Sequence, residues 1–113
     1  MLKKPNRMLK NKEFDRAFKI GQSFYGKDLG LKAVDNGLEV TRLGILISTK
    51  VSKKAVIRNH FKRQIREIVR IELPRLLPGK DLVIIVFSQI LDKKFEDIKK
   101  LINSGFKRLN LYK

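Results

Sequence analysis

AVIRNHFKRQIREIVRIELP, residues 55–74, carries two patterns at once. With Ile57 set to zero and about 100° per residue, Ile68 falls at about 20°, Phe61 at about 40° and Ile65 at about 80°. Its five cations fall elsewhere on the wheel: Arg58 at about 100°, Lys62 at about 140°, Arg66 at about 180°, Arg70 at about 220° and Arg63 at about 240°. Asn59 lies among them at about 200°, and Glu67, at about 280°, only edges the group. The spacing predicts a helix over residues 53–73, stopped by Pro74, with an apolar arc that can pack on a sheet and a broad cationic stripe opposite.

The flanks of this segment supply the sheet. VTRLGILIST, residues 40–49, reads as a buried strand before the helix, and DLVIIVF, residues 81–87, as a central strand after it, apolar as though covered on both faces. Pro78-Gly79 breaks the chain between them. Further upstream, Leu29, Leu31 and Ala33 alternate with Gly30, Lys32 and Val34, the period of a half-buried strand, and Asp35-Asn36-Gly37 is a turn signal. Asn11 is placed to cap a short helix over residues 12–20, with Glu13 and Asp15 in its first turn and Gly21 after it. Phe95, Ile98, Leu101, Ile102 and Leu109 keep helical spacing over residues 93–109. The elements make an α+β chain, a two-layer α/β sandwich in the order α-β-β-(β)-α-β-α.

The 113 residues have room for one domain, residues 1–113, with residues 1–11 expected to be a flexible basic arm. Cysteine is absent, which excludes disulfides and thiolate metal sites and suits a reducing cytoplasm. No apolar run approaches the ~20 residues of a membrane span, and residues 1–12 hold no secretory h-region. A cytoplasmic protein without a membrane partner is expected. Lys and Arg number 27 against 11 Asp and Glu, a net charge of +16. Repulsion on that scale opposes a compact state and calls for a polyanion, with nucleic acid the first reading.

A charge run is ordinarily a solvated helix face, but such faces mix signs, because opposite charges at i,i+4 stabilise a helix and like charges oppose it. Here Arg58, Lys62, Arg66 and Arg70 form an i,i+4 row of one sign, so a ligand is expected to relieve it. Guanidinium forks fit phosphate bidentately. Lys50, Lys53 and Lys54 extend the field through the preceding turn, toward a helix N-terminus that itself favours anions.

The stretch TRLGILISTKVSKKAVIRNHFKRQIRE resembles the protein subunit of bacterial ribonuclease P. Its signature, Arg-Asn-x-x-Lys-Arg-x-x-Arg, stands here as Arg58, Asn59, Lys62, Arg63 and Arg66. RMLKNKEFDRAFKIG resembles that family's opening, with Phe14 and Phe18 at its paired aromatic positions, and DLVIIVF fits its last strand. The likeness runs from about Arg7 to Leu109. His60 departs from the usual third Arg of the motif, Lys53 and Lys54 stand where many members have Gly-Asn, and Lys32 lies where some place an aromatic.

The resemblance implies a left-handed crossover through the basic helix, whereas handedness preference alone favours a right-handed one. It implies a subunit that assembles with a catalytic RNA and assists removal of the 5′ leader from precursor tRNA, supplying no catalytic group itself. Lys50, Lys53, Lys54, Arg58, Asn59, Lys62, Arg63, Arg66 and Arg70 would lie on the catalytic RNA. Phe14, Phe18 and Lys32 would line a cleft for the single-stranded leader. Magnesium would act through the RNA, with no cofactor on the protein alone and one protein in a 1:1 ribonucleoprotein.

Phe14 and Phe18 also fit an ordinary helix core, and Phe24 and Tyr25, placed before the first strand, are weaker cleft candidates. Tyr112 reads as structural or disordered, His60 as a surface residue and Asp81 as strand-edge chemistry. No Ser-His-Asp set, paired-carboxylate motif, metal-ligand spacing or Gly-rich phosphate loop is present. The alternatives are a ribosomal or general RNA-binding protein, a DNA-binding helix protein, and a stand-alone nuclease.

Overall fold

The structure, a computed structural model, describes residues 4–8 and 10–113. Three helices, α1 (Asn11–Ile20), α2 (Ala55–Glu72) and α3 (Phe95–Arg108), combine with four strands, β1 (Gln22–Tyr25), β2 (Leu29–Asp35), β3 (Arg42–Ile47) and β4 (Lys80–Val86). The sheet order is β1-β2-β4-β3. β4 is central: it pairs antiparallel with β2 and parallel with β3, which is why its sequence is apolar at nearly every position. The parallel β3–β4 pair is joined through α2, so the basic helix is a crossover connection, as the family resemblance implies.

Alternation along the strands divides the core. Leu29, Leu31 and Ala33 of β2, Leu82, Ile84 and Val86 of β4, and Leu43 of β3 point to one face. There they meet Phe61, Ile65 and Ile68 of α2 and Ile98, Ile102 and Phe106 of α3. The opposite face is covered only in part, by α1, where Ala17, Met8 and Val83 form a smaller buried cluster with Phe14, Val34 and Ile85 against it. The two-layer sandwich thus carries a helix on its second face, and that partial cover leaves room for a cleft.

Several details depart from the expectations. β1 is a strand of its own, paired antiparallel with β2, so Phe24 and Tyr25 lie within the sheet rather than before it. VTRLGILIST narrows to β3 and is an edge strand, with Leu46 exposed, because its outer neighbour is only a single bridge to Arg7. β2 is not half-buried: Leu29 through Ala33 are all buried, since α1 and the rings beside it cover its second face. Asn11 is not the cap of α1. Lys10 holds the N-cap position without a side-chain hydrogen bond, and its carbonyl accepts from the Glu13 amide at 3.1 Å. α2 and α3 are slightly shorter than their periodicity suggested, and α2 runs into a 3-10 turn at Leu73–Arg75 containing Pro74.

Part of the expected arm, including Lys3, lies outside the described residues. Within them, residues 4–8 are docked on the start of β3. The Met8 amide donates to the Leu43 carbonyl at 2.9 Å, Asn6 Nδ2 donates to the Thr41 carbonyl at 2.8 Å, and Met8 is buried.

Beneath α1 lies a buried ion pair. Asp81, 1% exposed, accepts from Arg42 Nε at 2.8 Å and Nη2 at 2.7 Å, and from Asn36 Nδ2 at 2.9 Å. Arg42 Nη1 reaches Glu13 Oε1 of α1 at 3.2 Å. Asp81 is therefore no strand-edge residue but the anchor of a network joining β4, β3, the β2–β3 turn and α1. Its hydrogen bonds hold the Arg42 guanidinium above its usual pKa.

Candidate nucleic-acid interface

Two surfaces bring the candidate residues together. The first is the outer side of α2. Phe61, Ile65, Ile68, Val69 and Glu72 turn inward, leaving Asn59, His60, Arg63, Arg66 and Arg70 exposed and Lys62 half-exposed. The N-cap is Lys54, and no acidic residue occupies the first turn, the reverse of what the helix dipole favours. Exposed Lys50, Lys53 and Lys54 thus crowd cations at a positive helix end, an arrangement that an anion relieves.

Two members of the stripe are committed within the protein. Arg58 is half-buried, and its Nη1 donates to the Ser52 carbonyl at 2.8 Å, fastening the turn that precedes α2. Its angle on the wheel borders the apolar arc, so contact with the body of the protein is the natural outcome. Arg70 forms a bidentate pair with Glu67, Nε to Oε2 at 3.0 Å and Nη2 to Oε1 at 2.5 Å. This hydrogen-bonded pair holds the Glu67 carboxyl below, and the Arg70 guanidinium above, their ordinary pKa values. The free cations are accordingly Lys50, Lys53, Lys54, Lys62, Arg63 and Arg66, for none of which does the described structure hold an acid partner. His60, off the stripe, meets Phe61 edge-on at 5.4 Å between ring centroids.

The second surface is the uncovered half of the opposite sheet face. Cross-strand register puts Ser23, Lys32, Val83 and Gly44 in one row, and Tyr25, Gly30, Ile85 and Leu46 in the next. Phe14 and Phe18, one turn apart on α1, stand along the first row. The Phe14 ring lies on Gly44, where an added Cβ would come within 2.5 Å of it, so Gly is required for α1 to approach β3 so closely. Phe18 is 41% exposed and Tyr25 54% exposed, and the Tyr25 ring lies against Gly30, 2.7 Å from where a Cβ would be. Lys32, only 8% exposed, lies between them. Its Nζ is 5.4 Å from the Phe18 ring centroid and 5.5 Å from that of Tyr25, and donates to Ser23 Oγ at 2.8 Å.

Phe14 is thus half core and half cleft wall, whereas Phe18 is cleft. Lys32 faces the cleft, as the strand alternation requires. Tyr25, ranked low on sequence, is the most exposed ring of the three, and its signal was available only through the pairing of β1 with β2. Phe24 turns to the other face, near Gly105 of α3 and 5.5 Å from the Arg108 guanidinium. Tyr112 is structural: half-buried, its hydroxyl donates to Asn103 Oδ1 at 3.3 Å, and burial followed by the nearby Glu72 pushes its pKa up to about 12.

The surfaces meet at the edge of β3. A cavity of about 200 Å³ there is lined by Phe14, Gly44 and Ile45 together with Arg66 of α2. Among the described residues no three His, Asp or Glu side chains converge in a way that could hold a metal ion.

Known proteins share this sequence pattern and fold. The ribonuclease P family model matches residues 2–110. The chain is similar to the ribonuclease P protein component of Clostridium botulinum strain 657, 36% identical over 110 residues, with 96% of this chain and 98% of that one covered. Against the component from Bacillus velezensis it is 38% identical, with 99% and 96% covered. Among solved structures, the Staphylococcus aureus RNase P protein matches with a TM-score of 0.87 at 28% identity, covering 96% of this chain and 98% of that one. The RNase P protein from Thermotoga maritima matches with a TM-score of 0.79 at 28% identity, covering 89% and 96%. With sequence and fold agreeing over nearly the whole length, the chain belongs to the ribonuclease P protein family.

Proposed function

We propose that this chain binds the catalytic RNA of ribonuclease P through the free cations of α2 and its preceding turn, while the cleft beside α1 receives the single-stranded 5′ leader of precursor tRNA. The observation that carries this reading is the shared cavity of Arg66 and Phe14: the cationic and aromatic surfaces adjoin, so one RNA assembly can span both. Cleavage belongs to the RNA, with magnesium acting there, and the protein works by placement as one copy per RNA.

The division of labour follows from the chemistry of each surface. Fixed cations on α2 displace condensed counterions from a folded RNA backbone, giving affinity with little dependence on sequence. Exposed rings accept the faces of unstacked bases, each worth about 1–3 kcal/mol. Mature tRNA has no leader to stack, so the cleft favours substrate over product and assists turnover. A general RNA-binding protein has the cations but no reason to present Phe18 and Tyr25 beside them.

The test compares precursor with mature tRNA binding to the assembled ribonucleoprotein. Precursor should bind at least about tenfold tighter, the worth of one stacked base, and Phe18→Ala should shrink the ratio. Equal affinities for the two tRNAs would instead favour the general binder.

A further inference from the structure

Lys32 poses a problem that the leader reading alone does not solve. A cation this deeply placed is costly unless paired, yet no carboxylate meets it among the described residues. An ammonium has three N–H donors. Ser23 Oγ takes one, and the neighbouring ring faces of Phe18 and Tyr25 offset part of the charge. Among the described residues no second hydrogen-bond acceptor meets it. The cage is complete except for an acceptor, and both flanking rings are open to solvent.

Phosphate is a poor candidate for the missing partner. The face of an aromatic ring is electrostatically negative, and an anion placed between two of them would shed its hydration against repulsive surfaces. A nucleobase suits the site better. Its plane stacks on Phe18 or Tyr25, and its edge then lies level with the ammonium. Single-stranded RNA is commonly read in this manner, by stacking plus hydrogen bonds to a base edge.

We infer that Lys32 makes this cleft selective for a leader base with the 6-keto oxygen of guanine or the 4-keto oxygen of uracil over one with the 6-amino group of adenine or the 4-amino group of cytosine. Guanine presents two adjacent acceptors, O6 and N7, and the 4-keto oxygen of uracil presents one. Adenine and cytosine present an amino donor at the corresponding position, and that donor would face an ammonium that can only donate. The selectivity rests on the leader occupying the cleft, and it adds a rule for one nucleotide of it.

The experiment is competitive cleavage of a precursor tRNA pool, its leader randomised, by the ribonucleoprotein carrying wild-type protein, Lys32→Met or Lys32→Gln. At one leader position the wild type should prefer G or U over A or C by roughly fivefold to tenfold, within the range of a single base-edge contact. Lys32→Met should erase that preference. Lys32→Gln should move it toward adenine, whose N7 and N6 match a carboxamide, a gain that a misfolded protein cannot produce. A base preference that all three proteins share, or none at that position while long leaders still bind better than absent ones, overturns the inference and leaves the leader in the cleft. Loss of all leader dependence in the wild type overturns both.

Discussion

Arg42 and Asp81 show how a single pair governs the site from beneath it. The carboxylate is buried and the guanidinium less than one-quarter exposed (22%), so removing one partner strands a charge. Arg42→Met should destabilise the protein by about 3–5 kcal/mol, read as a lower urea midpoint, whereas Arg42→Met/Asp81→Leu should lose less because no charge is left unpaired. A double variant as unstable as the single one would show that packing, rather than charge, sets the cost. Tyr112 gives a second residue-scale expectation. Its folded pKa of about 12 exceeds the ordinary 10.0, so the protonated phenol is favoured in the native state. That stabilisation is complete below pH 10 and is lost as pH rises through 12. Tyr112→Phe should therefore show a shallower loss of stability over this interval than the wild type, measured by denaturation at successive pH values.

At the scale of elements, α2 divides into cations engaged within the protein, Arg58 and Arg70, and cations that meet no acid among the described residues. Arg63→Ala and Arg66→Ala should each weaken catalytic-RNA binding and lower the slope of log affinity against log salt by about 0.9 for a duplex phosphate contact. Glu67→Gln should do the reverse, releasing Arg70 from its carboxylate and steepening the slope; titration of affinity against salt reads both. This division was only partly legible beforehand. The helical period revealed the stripe, because five cations keep to one side of an apolar arc. It did not reveal that Arg58 is spent on the Ser52 carbonyl, which depends on the path of the preceding turn. The Glu67–Arg70 pair lies at i,i+3 and was readable in principle. β1 escaped notice because QSFY, four residues against Gly26, is too short to show a period, and its strand character comes from β2. With β1 unseen, Tyr25 could not be brought to Lys32, since only the register Ser23–Lys32 and Tyr25–Gly30 makes them neighbours. The apolar run of β4 and the order of strand, basic helix and strand, by contrast, were plain from composition, while the crossover itself came only with the family resemblance.

For the whole molecule, the net charge of +16 has a spatial plan. Among the described residues, the acids that do meet cations are mostly drawn inward or to the far end of the sheet: Asp81 and Glu13 hold Arg42, Glu72 approaches Arg75, and Asp35 pairs with Lys80. This leaves the α2 flank short of acid and adjoining the aromatic cleft. The most direct measurement of that continuity exploits the absence of cysteine. A hydroxyl-radical source tethered to Val56→Cys, beside the Lys53–Lys54 turn, or to Leu46→Cys, on the cleft row of β3, is assembled with catalytic RNA and precursor tRNA. The first should cut the catalytic RNA and the second the leader, both within one complex. Cuts from Leu46→Cys confined to RNA other than the leader, or none in the catalytic RNA from Val56→Cys, would contradict it.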